Sequence, residues 1–179
     1  LGAPTGGMAV SGDVLAELAL AFSKAHSVPV FPCRQDKSPT TNHGFKDASS
    51  DPAVIREMFA HAHAEYVAMT TGSITGVSVL DIDVQKDGDA VSGFDWLSAH
   101  RNLIPLTRTV QTPSGGLHYY FRHVEGLRNS NGRIAARVDV RGDGGLIIVG
   151  GLGYELMKDN AFDKLPVLTY SICLLYTSD

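Results

Sequence analysis

Residues 108–150 read RTVQTPSGGLHYYFRHVEGLRNSNGRIAARVDVRGDGGLIIVG. Four runs in this stretch are of strand type: RTVQTPS (108–114), LHYYFRHV (117–124), RVDVRG (137–142) and LIIVG (146–150). Their β-branched and aromatic residues fit a pleated, half-buried surface. SGG and GDGG punctuate them as turns. The strands read as antiparallel. Upstream the pattern differs. From Asp13 to about His26, Val14, Leu15, Leu18, Ala19 and Phe22 recur at helical spacing. VPVFPC (28–33) reads as a short strand entering a Pro-rich turn, followed by the polar loop RQDKSPTTNHGFKDASS (34–50). Asp51-Pro52 opens a second helix through about His63, with Asp51 as N-cap and Pro52 at the first helical position. YVAMTTG (66–72) and GVSVLDIDV (76–84) are β-type, and a third helix fits roughly Asp89 to Arg101. Helices come mainly first and antiparallel strands later. This order predicts an α+β fold with a mainly antiparallel sheet, not a doubly wound parallel one.

With no internal repeat and no linker, residues 13–169 are expected to form one domain behind a Gly-rich, flexible segment, 1–12. The closing stretch, Tyr170 to Asp179, has no place after the final strand. Its SICLLYTSD resembles translated adapter read-through, so it is expected to be a non-native or disordered tail.

The chain has 179 residues, of which 44% are hydrophobic and 19% charged, a globular and not a disordered composition. No apolar run reaches the length of a membrane-spanning helix. The opening LGAPTGGMAVSGD lacks the basic and apolar regions of a secretion signal, and a start at Leu1 is that of a fragment or trimmed chain. Cys33 and Cys173 are the only cysteines, which excludes a disulfide scaffold and a structural zinc site and makes the cytoplasm the expected compartment. The net charge is −4, which argues against a general nucleic-acid coat. It hides a gradient, however. Between Arg101 and Arg141 seven arginines face only Glu125 and Asp139, a local charge of +5. Such a block forms either an anion-binding face or a solvated sheet surface.

VSVLDIDV carries the sharpest chemical signal. Asp81 and Asp83 stand at i and i+2 at the end of an apolar strand, so they point to one face while Ile82 points to the other. Two adjacent carboxylates repel unless a cation lies between them. Hard cations such as Mg²⁺ take this kind of oxygen-rich site, completed by water and phosphate. The plain alternative is two solvated acids at a strand end. In TPSGGLHYYF the glycine pair makes a tight turn that lets backbone approach closely, and His118 follows at the start of an aromatic strand. That histidine is either a phosphate donor or a satisfied structural residue. In RVDVRGDGG, Asp139 and Arg141 share a strand face. Asp139 would complete a carboxylate triad with Asp81 and Asp83, and Arg141 would bind phosphate bidentately. The alternative is an intra-strand ion pair. Lys37, in DKSPTT, is a phosphate contact or a solvated loop lysine.

Taken in order, these motifs resemble the N-terminal primase–polymerase (Prim-Pol) domain of the archaeo-eukaryotic primase superfamily. The resemblance runs from about Leu15 to Met157. It includes the PVFP strand, Lys37 and Pro39 of the loop, GFKDASSDPAVIREMF, TGSITGVSVLDIDV, TPSGGLHYYF and VDVRGDGGLIIVG. It implies a two-part α/β catalytic core whose central part is RRM-like. It also implies a template-directed nucleotidyltransferase, a DNA primase/polymerase working by a two-metal mechanism with Mg²⁺ or Mn²⁺. The family's D-x-D pair, small-x-His motif and later Asp fall on Asp81 and Asp83, on Gly116-Leu117-His118, and on Asp139. The catalytic set implied is Asp81, Asp83, His118 and Asp139, with the three acids as metal ligands. Lys37, Gly116, His118 and Arg141 would bind the nucleoside triphosphate. Arg128 and Arg133 would track single-stranded DNA template and primer through their phosphates. A helicase domain or protein is an implied partner, and a membrane is not. One departure is that GGLGYELM (150–157) replaces the Pro-Ser-rich loop usual after the final glycine-ended strand. Two other readings compete. A metal-dependent glycosyltransferase would use the DxD on a nucleotide sugar, within a Rossmann-like fold and without the His and Asp downstream. A catalytically inactive nucleic-acid-binding replication module would keep the fold and tolerate loss of any acid.

Overall fold

The computed structural model describes residues 11–61, 63–86, 90–168 and 172. They form two compact units, one of residues up to Ala68 together with Ile148–Leu152, the other of Met69–Ile147 with the residues from Gly153 onward.

In the first unit, α1 (Gly12–His26) opens one residue before the expected start. Ser11 is its N-cap, its hydroxyl accepting from the Val14 N–H, and Ser27 closes it in the left-handed region. Leu15, Ala19 and Phe22 bury one face. The strand β1 (Val30–Cys33) lies within the expected VPVFPC run. Burial pushes the Cys33 thiol up to about 12, with Asp36 adding to the rise and Arg34 opposing it, so this cysteine is chemically quiet. The loop that follows contains a short 3-10 helix, Gly44–Asp47. Helix α2 (Pro52–Ala60) has Asp51 as its N-cap, the carboxylate accepting from Ala53 and Val54 N–H, as expected. It ends three residues short of the expected His63, with Ile55 and Phe59 as its buried residues and His61 as its C-cap. With β2 (Tyr66–Thr70) and β8 (Leu146–Gly151), β1 forms a three-stranded sheet in the order β1-β2-β8.

The second unit holds the six-stranded sheet. Its strands are β3 (Val77–Ile82), β4 (Thr109–Gln111), β5 (Leu117–Arg122), β6 (Ser130–Ala135), β7 (Val138–Arg141) and β9 (Glu155–Lys158). The spatial order is β6-β7-β3-β5-β4-β9, and every neighbouring pair is antiparallel. The α+β class with a mainly antiparallel sheet is therefore what the chain adopts. Two of the strands, β6 and β9, fall where no strand was expected. The third helix, α3 (Gly93–His100), begins later than Asp89 because Ser92 caps it in a capping box with Asp95. Asp89 itself lies outside the described residues.

One face of this sheet is apolar. Leu80 and Ile82 of β3, Tyr119 and Phe121 of β5, and Val138 and Val140 of β7 pack with Leu97, Ile104 and Leu168. Ile172, the one described residue of the expected tail, is fully buried in the same cluster. The residues between these, Asp81, His118, Asp139 and Arg141, necessarily point to the opposite face.

Candidate active site

The antiparallel register places three functional residues in one rung. Asp81 of β3 lies opposite His118 of β5 on one side and opposite Asp139 of β7 on the other. All three side chains therefore leave the same face side by side. Asp83 follows just past the end of β3, where its backbone N–H donates to the Arg137 carbonyl and its carbonyl accepts from the Gly93 N–H. These two bonds hold the strand direction for one more residue. Carboxylate oxygens of Asp81, Asp83 and Asp139 all lie within 4.8 Å of one another.

Gly116 explains how the histidine strand comes close enough. A Cβ at this position would lie 2.7 Å from the Ile82 carbonyl oxygen and 3.0 Å from the Thr112 hydroxyl. Only glycine lets the TPSGG turn pack against the end of the DxD strand. Gly116 thus sets backbone spacing beside Asp83.

Asp81 is 7% exposed and His118 is 3% exposed. His118 Nε2 stands 3.4 Å from Asp81 Oδ1, a close charge contact that is not a well-aligned hydrogen bond. Arg141 lies diagonally across the β3–β7 pair, opposite Val79, and its Nη2 is 3.2 Å from Asp81 Oδ2 and 2.9 Å from Asp139 Oδ2. Burial acts most strongly on the Asp81 carboxyl and pushes its pKa up. The adjoining His118 ring and the Arg141 guanidinium outweigh that and hold it below its ordinary value. Asp81 is thus a buried carboxylate kept ionised.

The donor set fits a divalent cation. It consists of three hard carboxylates on a single face, and Asp81 Oδ1 is buried with no hydrogen-bond partner. This oxygen faces the His118 ring nitrogen at 3.4 Å, without a hydrogen bond that would occupy it.

Three residues of the site were not anticipated. The strand β6 shifts register between Ser130 and Ala135, and Asn131-Gly132 lie within that shift, Gly132 with φ of 62°. The Gly132 N–H donates to Asp139 Oδ1 at 2.7 Å, and Asn131 Oδ1 accepts from Arg141 Nη1 at 3.1 Å. In sequence, Asn-Gly signals a turn, and the bulge that aims both groups at β7 has no period of its own. Tyr154 is a third. Its ring centroid is 6.1 Å from that of His118, and it belongs to the GGLGYELM segment that enters β9.

The remaining expected site residues are placed as follows. Lys37 belongs to the first unit, on an exposed loop turn with φ of 67°. Arg128 and Arg133 are exposed on the second unit, the latter on β6. The arginine block is not one uniform face. Arg108 is buried, paired with Asp159 and stacked over the Tyr120 and Phe162 rings, and so is structural.

Among the described residues no helix is long and apolar enough to cross a membrane. Comparison with curated proteins returns no match. The family model for the N-terminal domain of bifunctional DNA primase/polymerase, Prim-Pol, matches residues 19–159. That span contains α2, both sheets and every residue of the carboxylate–histidine cluster. On this match over most of its length, carrying the acids and the histidine that converge on one sheet face, the chain belongs to the Prim-Pol family, a primase-like nucleotidyltransferase domain.

Proposed function

We propose that this chain is a DNA primase/polymerase that adds nucleoside triphosphates to a nucleic-acid 3′-hydroxyl under template direction. The observation that carries this reading is the convergence of Asp81, Asp83 and Asp139 within 4.8 Å beside a buried histidine, in a Prim-Pol chain. Asp81, Asp83 and Asp139 would hold Mg²⁺ or Mn²⁺. When bound, such cations supply Lewis-acid stabilisation of the attacking and leaving oxygens of an in-line phosphoryl displacement.

The chain's own residues do the rest. Arg141, engaged by Asp81 and Asp139, would offer a planar, permanently charged fork to phosphate oxygens once released from them. His118, fixed in the sheet next to Asp81, donates from its ring to the triphosphate. Gly116 keeps the turn that carries His118 against the end of β3, and Lys37 adds a further phosphate contact. Arg128 and Arg133 bind the backbone of the single-stranded template and primer, independently of sequence. A helicase domain or protein is the partner such a domain would serve. A DxD glycosyltransferase is disfavoured, because its Rossmann-like sheet is replaced by an antiparallel one and Asp81 is flanked by His118 and Asp139.

Primer extension by wild type and Asp83→Asn, paired with thermal melting with and without Mn²⁺, tests the assignment. Asp83→Asn keeps shape and removes one charge from a crowded acidic cluster. It should melt at or above the wild-type temperature without metal, yet extend primers at least about 100-fold more slowly, the scale of losing one transition-state electrostatic contact. Wild-type protein that extends no primer with either nucleotide set or either metal refutes the reading. So does full activity in Asp83→Asn.

A further inference from the structure

We infer that Arg141 is an internal competitor for the cation site: its guanidinium engages the Oδ2 atoms of Asp81 and Asp139, so an ion that takes these oxygens must move Arg141. This rests on the metal-site reading above and concerns how that site is filled.

Asp139 has both of its carboxylate oxygens in hydrogen bonds. Oδ1 accepts from the Gly132 N–H at 2.7 Å, and Oδ2 accepts from Arg141 Nη2 at 2.9 Å. Both are therefore engaged. Asp81 differs, because its Oδ2 faces Arg141 Nε and Nη2 at 3.4 and 3.2 Å while its Oδ1 has no hydrogen bond. A small divalent ion needs its oxygens at about 2.0–2.6 Å. Nη2 contacts both the Asp81 and the Asp139 Oδ2 atoms, so an ion bridging the two carboxylates through these oxygens meets the guanidinium in its own shell. The Gly132 bond is made by backbone in a register shift and has no freedom to swing away. The Arg141 side chain does.

Asn131 controls how readily Arg141 leaves. Its Oδ1 holds Nη1 at 3.1 Å, on the side of the guanidinium away from the acids. The fork is thus fixed at both ends, by two carboxylates and by one neutral amide. Asn131 is in this sense a positioning residue for the metal site, which it does not touch. The same geometry gives the arginine two employments. While it bridges the acids, it neutralises their repulsion; once displaced, it is a released cation beside the site, available to phosphate oxygens. Ion and triphosphate binding would then be positively linked through one side chain.

The test measures Mn²⁺ affinity of the full chain by electron paramagnetic resonance of free Mn²⁺, after chelator treatment and without nucleotide. Four variants are compared: Arg141→Gln, Asn131→Ala, Arg122→Gln and Asp81→Asn. Arg141→Gln should bind at least about fivefold more tightly than wild type, the lower end of typical coupling between sites. Asn131→Ala leaves every charge in place and should tighten binding by about two- to tenfold, the worth of one hydrogen bond. Arg122→Gln removes an exposed charge from β5 of the same sheet and should change affinity less than twofold. Asp81→Asn should abolish binding, which shows that the signal comes from this site.

Equal tightening by Arg122→Gln and Arg141→Gln would reduce the effect to general repulsion and overturn the competition. An Asn131→Ala variant with wild-type affinity would overturn it too, and that variant decides the matter if Arg141→Gln does not fold. Should Arg141→Gln and Asn131→Ala tighten Mn²⁺ binding while wild type extends no primer, the competition stands and the polymerase assignment falls. Primer extension lost in Asp81→Asn, together with no tightening in either variant, has the opposite meaning.

Discussion

At the scale of single residues, Asp81 is where opposing effects are closest to balance. It sits in the sheet with an oxygen that lacks a hydrogen bond, and burial by itself would favour its protonated form. The His118 ring and Arg141 reverse that, and its pKa lies below the ordinary 3.8. A carboxyl whose folded pKa is depressed releases its proton more readily folded than unfolded, so the ionised form favours the native state. The contribution is complete above the unfolded value, about 4, and is lost as pH falls through the lower folded value. Other depressed carboxyls respond in the same direction, notably Asp143, whose pKa is lowered by the Ser73 backbone N–H and hydroxyl and by His123. The contribution of Asp81 is therefore read by difference. Urea unfolding of wild type should weaken more steeply between pH 4 and pH 2.5 than unfolding of Asp81→Asn. Parallel pH profiles would mean that Arg141 and His118 do not stabilise the ionised carboxylate.

Among the elements, the turn and the bulge position the site, and they differ in how openly the sequence announces them. The TPSGG turn announces itself, because a glycine pair between two β-type runs has few other uses. Its physical role is more specific than a turn signal conveys, since a Cβ on Gly116 would press on the Ile82 carbonyl at 2.7 Å. That contact is with backbone, which cannot rotate away. Gly116→Ala should therefore cost about 1–3 kcal/mol of stability, as overpacking does. It should also weaken Mn²⁺ binding by moving β5 away from the end of β3. Unchanged melting temperature and affinity would show that the turn relaxes without cost. The strands carrying the DxD, the histidine and the later aspartate were legible for a simple reason. Each is short and apolar on one face, and each carries its charged residues at period two. That pattern alone places Asp81, Asp83 and Asp139 on one side of a sheet once the strands pair. What it does not contain is the pairing order. Nothing in VDVRG states that β7 rather than β6 lies beside β3. The strand β6 went unseen because SNGRIA has a polar half with an Asn-Gly at its centre, which is turn chemistry. The edge strand β9 went unseen because its GLGYELM approach reads as irregular and its residues are exposed, leaving no alternation to detect. Helix starts were read more closely at Asp51, where Pro52 marks the boundary, than at Ser92, where a capping box had to be noticed.

Over the whole molecule the relevant quantity is the arrangement of charge. The chain is acidic by four, yet its second unit carries all seven arginines between Arg101 and Arg141. Those seven are not equivalent. Arg108 is buried against two aromatic rings with its charge met by Asp159, and Arg141 is engaged by two carboxylates and an amide. Neither is placed to neutralise a nucleic-acid phosphate in this arrangement. Arg128 and Arg133 are exposed, and the expectation for strand binding falls on them. A protein that neutralises phosphates of a single strand releases condensed counterions, and the log–log dependence of affinity on salt has a slope of about −0.7 per phosphate. The acidic remainder of the chain repels the same strand, so binding should be weak at physiological salt and should strengthen steeply as salt is lowered. Arg128→Ala and Arg133→Ala should each make the slope shallower by about 0.7, and the double variant by about 1.4, because exposed charges acting on separate phosphates add. Arg108→Ala should leave the slope unchanged and lower the melting temperature instead, since it removes a buried cation from its contacts with two aromatic rings. The measurement is fluorescence anisotropy of a labelled single-stranded oligonucleotide over a series of salt concentrations, with melting curves for each variant. A wild-type affinity that does not vary with salt would remove phosphate tracking from the proposed mechanism. A slope unaffected by both surface substitutions would leave the tracking but assign it to other cations of the chain.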